Sequence, residues 1–127
     1  MQHREVTKET FESEDNLICA RDLKKVYKDG VAAVNENTFS VKKGEVFGLL
    51  GPNGAGKSTM FNMMSMELKR TSGDIRLLGN DIDKVNIARD GNKMGMCAQT
   101  NTVWDVMSVN ECIRFVCEVK GVKGEDI

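Results

Sequence analysis

The sequence predicts an α/β domain built around a phosphate-binding loop, with an antiparallel β subdomain in front of it. Three observations carry this. Gly51-Pro52-Asn53-Gly54-Ala55-Gly56-Lys57-Ser58-Thr59 fits the spacing Gly, four residues, Gly-Lys-Ser. Before it, Glu45-Val46-Phe47-Gly48-Leu49-Leu50 reads as a short buried strand. After it, residues 60–68 lack glycine and proline and are rich in methionine, which reads as a helix. Strand, glycine loop and helix in that order are the context the motif requires.

The remaining elements follow in chain order. Residues 1–16 are charged, hydroxyl-rich and without apolar periodicity, so they read as a disordered tail or linker. Glu5, Glu9, Glu12, Glu14 and Asp15 argue against a basic amphipathic membrane anchor there. Residues 17–23 predict a first strand with Leu17 and Cys19 on one face. Asp29-Gly30 marks a tight turn, and residues 31–41 supply a second strand with Ala33, Val34, Phe39 and Val41 buried. Lys42-Lys43-Gly44 turns the chain into the loop strand.

Past the loop, Phe61, Met64 and Leu68 recur at helical spacing, with Met60 and Met63 flanking that face. The methionines then read as packing under a sheet rather than as a binding groove. Residues 71–74 predict a turn, 75–78 a short strand, Gly79-Asn80 a second turn and 85–89 a brief helix before Asp90-Gly91. Residues 94–98 read as a further buried strand ending at Gln99. Ser108 followed by Glu111 predicts a capping box for a last helix. That helix carries Val109, Cys112, Ile113, Val116 and Cys117 and ends at Gly121 and Gly124.

Composition narrows the setting. At 127 residues the chain is about one small domain. A formal charge of −1 and a pI near 5.9 give no electrostatic reason to expect nucleic acid as a partner. No apolar run approaches the roughly 20 residues that span a bilayer, and no signal-peptide pattern opens the chain. Direct membrane insertion is not expected, and any membrane part belongs to another segment or subunit. Cys19, Cys97, Cys112 and Cys117 form no Cys-x-x-Cys pair, and His3 stands far off, so a zinc site has no support and buried, reduced thiols are expected.

The loop's chemistry follows from its residues. Gly54 and Gly56 let the backbone curl without side-chain interference. The N–H groups of residues 54–59 can then converge on a β-phosphate at a helix N-terminus, where the dipole adds positive charge. Lys57 reaches the β- and γ-phosphates, the Ser58 hydroxyl ligates Mg²⁺, and Thr59 supports the α-phosphate. The core is thus of P-loop NTPase type. No aspartate is followed by glycine three positions later, and Asn92-Lys93-Met94-Gly95 lacks the aspartate of a guanine reader, so nothing favours GTP. A small kinase has no positive support.

Around the loop the sequence resembles the nucleotide-binding domain of ATP-binding cassette (ABC) transporters. The match covers residues 17–121 and is densest from Lys43-Gly44-Glu45 into the loop. Leu23-Lys24-Lys25-Val26-Tyr27 resembles the segment bearing the family's adenine-stacking aromatic, which makes Tyr27 the candidate. Thr71-Ser72-Gly73-Asp74-Ile75 resembles the turn and strand after the loop helix. Met94-Gly95-Met96-Cys97-Ala98-Gln99 resembles the strand ending in the Q-loop glutamine, although Ala98 stands where the family usually has proline. Residues 101–111 and the strand 46–50 look most like subfamily A, the lipid-exporting branch. Residues 17–127 then correspond to the N-terminal part of an ABC-type ATP-binding domain.

The resemblance implies ATP with Mg²⁺, with Lys57 and Gln99 in catalytic roles and Ser58 and Gln99 at the metal. Residues 51–59 and Tyr27 would contact the nucleotide. Trp104 would lie near the surface that meets a transmembrane partner. The implied partners are a second nucleotide-binding domain and the transmembrane domains, which would hold this segment at the cytoplasmic side of a membrane. Apart from the resemblance, Tyr27 reads equally as a partly buried tyrosine at a strand end, and Gln99 as a solvated loop glutamine.

Other parts of the family pattern are missing from the sequence. No apolar run precedes an Asp-Glu pair, no Leu-Ser-Gly-Gly-Gln occurs, and no histidine follows Gln99. The expectation is a truncated domain that keeps the ATP-contacting half and does not turn over ATP alone. Without the strand that bears the catalytic aspartate, the loop strand would also lack a neighbour. A short non-catalytic nucleotide-binding or regulatory protein is the alternative reading. A cassette ATPase without a membrane partner is a third, which the subfamily A features disfavour.

Overall fold

Two long strands joined through the Asp29-Gly30 turn form one side of a four-stranded sheet. The structure, a computed structural model, describes residues 11, 13, 15–86, 90, 93–100, 103–122 and 124. Most of the tail and residues 87–89 of the brief helix expected over 85–89 lie outside these. Two units divide the chain, Met1–Val85 and Asn86–Ile127.

In the first unit, β1 (Asn16–Val26) pairs antiparallel with β2 (Ala32–Lys42) on one side and β3 (Ser72–Leu77) on the other. The short β4 (Asn80–Asp81) closes the order β2-β1-β3-β4. The turn is tight as expected: Tyr27 N donates to Val31 O and Gly30 N to Tyr27 O, both at 2.9 Å, with Gly30 at φ 83°. The segment 71–74, expected as a turn, instead opens β3 from Ser72 onward. Opposite this segment β1 bulges between Arg21 and Lys24. Asp22 takes φ 50°, and its N–H donates to the Thr38 hydroxyl at 2.9 Å. Gly73 accommodates that bulge, since a Cβ there would lie 2.3 Å from Asp22 O.

The loop helix α1 (Lys57–Met64) packs on one face of this sheet. Its buried residues are Met60 and Met63, the latter 1% exposed, while Phe61 is 44% exposed. The expected stripe of Phe61, Met64 and Leu68 is therefore turned by one position, because the loop fixes where the helix starts and which side faces the sheet. The helix also stops early. Met66 takes φ 65°, and Leu68 N reaches back to Asn62 O at 3.0 Å, so Leu68 joins the core from beyond the helix end. Ala20, Leu23, Val34, Ile75 and Ile82 complete the core.

The end of the expected tail is held against the sheet. Phe11 is buried, with the Arg21 guanidinium 4.5 Å from its ring centroid and that of Arg76 at 5.8 Å. Arg76 Nη1 also donates to Phe11 O at 3.4 Å. Cys19 is buried too, and that burial pushes its thiol pKa up against the pull of Arg76 and Arg21. The other three cysteines are free as well, but Cys97 is exposed and Cys112 and Cys117 are only half-buried, contrary to the expectation of buried thiols.

Residues 45–50 and 94–98, both expected as buried strands, form no ladder with any described residue. Val46 is 98% exposed and Leu50 81%, although Leu49 reaches the core and Phe47 stacks on Phe39 at 5.2 Å. An apolar strand of a parallel sheet is buried only when neighbours cover it, and no described residue supplies one.

The second unit contains α2 (Val109–Val119). Its capping box is present: Glu111 N donates to Ser108 Oγ at 3.4 Å, and Ser108 N donates to Glu111 Oε2 at 2.8 Å. Gly121, at φ 80°, ends the helix, and Trp104 meets Phe115 edge-on at 5.0 Å. No residue of the helix is fully buried. Among the described residues no helix is long and apolar enough to cross a membrane.

Candidate nucleotide-binding site

The loop closes on a glycine that no other residue can replace. Gly56 is the N-cap of α1 at φ 80°, and a Cβ there would lie 2.0 Å from the Ala33 carbonyl of β2. The backbone of β2 thus presses directly on the loop, and only a glycine fits. Gly54, at φ 84°, needs its conformation but has open space around it. Ala55 N donates to Pro52 O at 3.3 Å and Met60 N to Gly56 O at 2.8 Å, so the loop runs into the helix without a break.

No side chain caps α1. The first N–H groups of a helix have no partner within it, so an uncapped start is an anion-binding end. Lys57 adds a cation there. Its Nζ donates to Gly51 O and Pro52 O, both at 2.7 Å, which folds the ammonium back across the loop that precedes it. Ser58 is exposed, and its hydroxyl is a hard oxygen donor on the first turn. Among the described residues no three His, Cys, Asp or Glu side chains converge. That donor set fits Mg²⁺, which takes few protein ligands and binds mainly through waters and phosphate oxygens.

Tyr27 follows the end of β1, beside the start of β2 that meets Gly56, and so reaches the same place. Tyr27 is 42% exposed, and its hydroxyl lies 3.3 Å from Thr59 Oγ1 on the first turn of α1. Lys25 Nζ lies over the same ring, 5.6 Å from the centroid, a neighbour that periodicity did not single out. Two residues 32 positions apart in sequence, Tyr27 and Thr59, therefore meet at the loop end of the helix. Gln99 is in the second unit, exposed in an irregular stretch after residues 94–98, so the geometry of the loop comes from the first unit alone. A groove of about 710 Å³ elsewhere in that unit is lined by Met63, Leu68, Arg70, Ile75 and Ile82 and includes no loop residue.

An uncapped helix behind a glycine loop, set on an antiparallel sheet, defines a nucleotide-binding protein of the P-loop class. Comparison with known proteins identifies the family. A family model for ABC transporters matches residues 34–125, and the chain belongs to that family.

Over 110 residues it is 41% identical to the probable multidrug ABC transporter ATP-binding protein YbhF of Escherichia coli (strain K12), a match covering 87% of this chain and 19% of that protein. It is 39% identical to ABC transporter A family member 7 of Arabidopsis thaliana over 91% of this chain and 13% of that one. With ATP-binding cassette sub-family A member 17 of Mus musculus it shares 38% identity over 84% of this chain and 6% of that protein. The chain is thus A-like, and it spans less than a fifth of the length of these relatives.

Among solved structures, the ATP-binding subunit of an ABC transporter superposes with a TM-score of 0.75 over 86% of this chain and 45% of that chain, at 23% identity. CbiO1 from Clostridium perfringens, part of the ABC transporter complex cbiONQ, gives 0.53 over 56% of this chain and 28% of that one, at 37% identity. The expected α/β, P-loop NTPase-type fold with its antiparallel β subdomain is the fold of these domains.

Proposed function

We propose that this chain supplies the ATP-contacting half of an ABC-type ATPase domain. The N–H groups of residues 54–59 cradle the phosphates, Lys57 neutralises charge on the β- and γ-oxygens, and Thr59 supports the α-phosphate. Ser58 would hold Mg²⁺, a role that the resemblance to the family also implies for Gln99. Bound there, Mg²⁺ offsets the negative charge that builds on the phosphate oxygens. Tyr27 gives the adenine a stacking face. One observation carries this reading: the Tyr27 hydroxyl reaches Thr59, so an aromatic platform and a phosphate cradle stand at one end of one helix.

In the whole transporter, this half would face the signature motif of a second nucleotide-binding domain. Residues 99–104 would pass closure on to transmembrane domains at the cytoplasmic side of the membrane. Export of lipid, which the resemblance to subfamily A implies, is the activity this serves. The sequence contains no Asp-Glu strand, signature or switch histidine, so the 127-residue chain binds ATP without turning it over. The open apolar run at Val46 and Leu50 supports the same reading, because further parallel strands would cover it. Calorimetry with ATP and Mg²⁺ tests binding, and steady phosphate release lost in Lys57→Ala would overturn the absence of turnover.

A further inference from the structure

Lys25 stands two residues before Tyr27 at the end of β1, the spacing at which extended side chains share a face. Its ammonium lies over the Tyr27 ring, 5.6 Å from the centroid. It also donates to Lys69 O at 2.6 Å, so it is anchored rather than waving in solvent. The anchor is itself tied down. Thr71, two residues on, donates from its N–H to Lys24 O at 2.9 Å, and its hydroxyl accepts from Val26 N at 2.9 Å. At its far edge the ring is fastened by the Tyr27 hydroxyl on Thr59.

A ring held this way has a cation standing over one face, and Tyr27 remains exposed. We infer that Lys25 is a positioning residue for the nucleobase: it occupies one face of Tyr27 and commits the base to the opposite face. This rests on the role proposed above for Tyr27. Two effects support the base. The ammonium draws π density toward itself, which leaves the opposite face better matched to an electron-rich purine. Pinning the ring also removes motion that stacking would otherwise have to freeze.

The experiment compares ATP with inorganic tripolyphosphate, both with Mg²⁺, by calorimetry on the full chain. Lys25→Met keeps the aliphatic stem and removes the charge, and Lys25→Gln serves as a second variant if thermal melting shows the first to be unstable. The expected result is a loss of about three- to tenfold in ATP affinity with tripolyphosphate unchanged. Lys25→Arg should restore ATP affinity, and Lys25→Met should have no further effect when Tyr27 is already alanine. Equal weakening of both ligands would overturn the inference by showing that the ammonium serves the phosphates directly. ATP affinity that falls in Tyr27→Ala but not in either Lys25 variant would overturn it while leaving the platform reading intact. ATP affinity unchanged in Tyr27→Ala would remove the platform and the inference together.

Discussion

The Tyr27 hydroxyl stands 3.3 Å from Thr59 Oγ1, joining the β1–β2 turn to the first turn of the loop helix. The turn's own hydrogen bonds set the ring's position, so this contact links two rigid pieces rather than two loose ones. Tyr27→Ala should weaken ATP binding by about 1 kcal/mol, roughly fivefold, through lost stacking. Tyr27→Phe keeps the ring and gives up one exposed hydrogen bond, a loss of about 0.5 kcal/mol. Calorimetry on the two variants checks the order, and equal losses would mean the hydroxyl matters more than the ring.

Two glycines of the loop should respond differently to the same substitution. Gly56→Ala meets both a positive φ and the Ala33 carbonyl at 2.0 Å, so β2 or the loop must move. A destabilisation of about 2 kcal/mol or more is expected, with ATP binding lost. Gly54→Ala has open space and faces only the φ penalty, about 1 kcal/mol. Thermal denaturation of both variants tests the contrast.

The face of α1 gives a third prediction. Met63→Ala empties a core position and should cost about 2–4 kcal/mol. Phe61→Ala, at a half-exposed site, should cost about 1 kcal/mol or less. Chemical denaturation distinguishes them, and the reverse order would restore the helical face that spacing alone suggests.

That helix shows where the sequence was legible and where it was not. The glycine loop, the Asp29-Gly30 turn and the Ser108–Glu111 box could be read directly, because each is made by residues a few positions apart. Met60 and Met63 were recognised as apolar, but which apolar residues face the sheet depends on how β2 meets Gly56, a contact between distant segments. The runs 45–50 and 94–98 announce burial without saying by what, and no described strand lies beside either. Phe11 under Arg21 and Arg76, the bulge at Asp22, and Lys25 over Tyr27 arise only when strands are laid side by side, so no periodicity marks them.

The capping box carries a pH dependence. Hydrogen bonds donated first by the Ser108 hydroxyl and then by its backbone N–H hold the Glu111 carboxyl below its usual range. A depressed carboxyl stabilises when ionised, so the contribution is full above the ordinary carboxyl range and lost as pH falls through the lowered one. Glu111→Ala should therefore reduce helical circular dichroism near neutral pH and converge with the unmodified chain in acid. A difference that persists unchanged into acid would assign the effect to packing instead.

The most direct test of the central claim is a calorimetric titration of the 127-residue chain with ATP and Mg²⁺, beside Lys57→Ala. Saturable binding that falls sharply in the variant is the predicted result, because Lys57 brings the only side-chain cation placed on the loop among the described residues. Affinity unchanged by Lys57→Ala would contradict the assignment of residues 51–59 as the phosphate cradle.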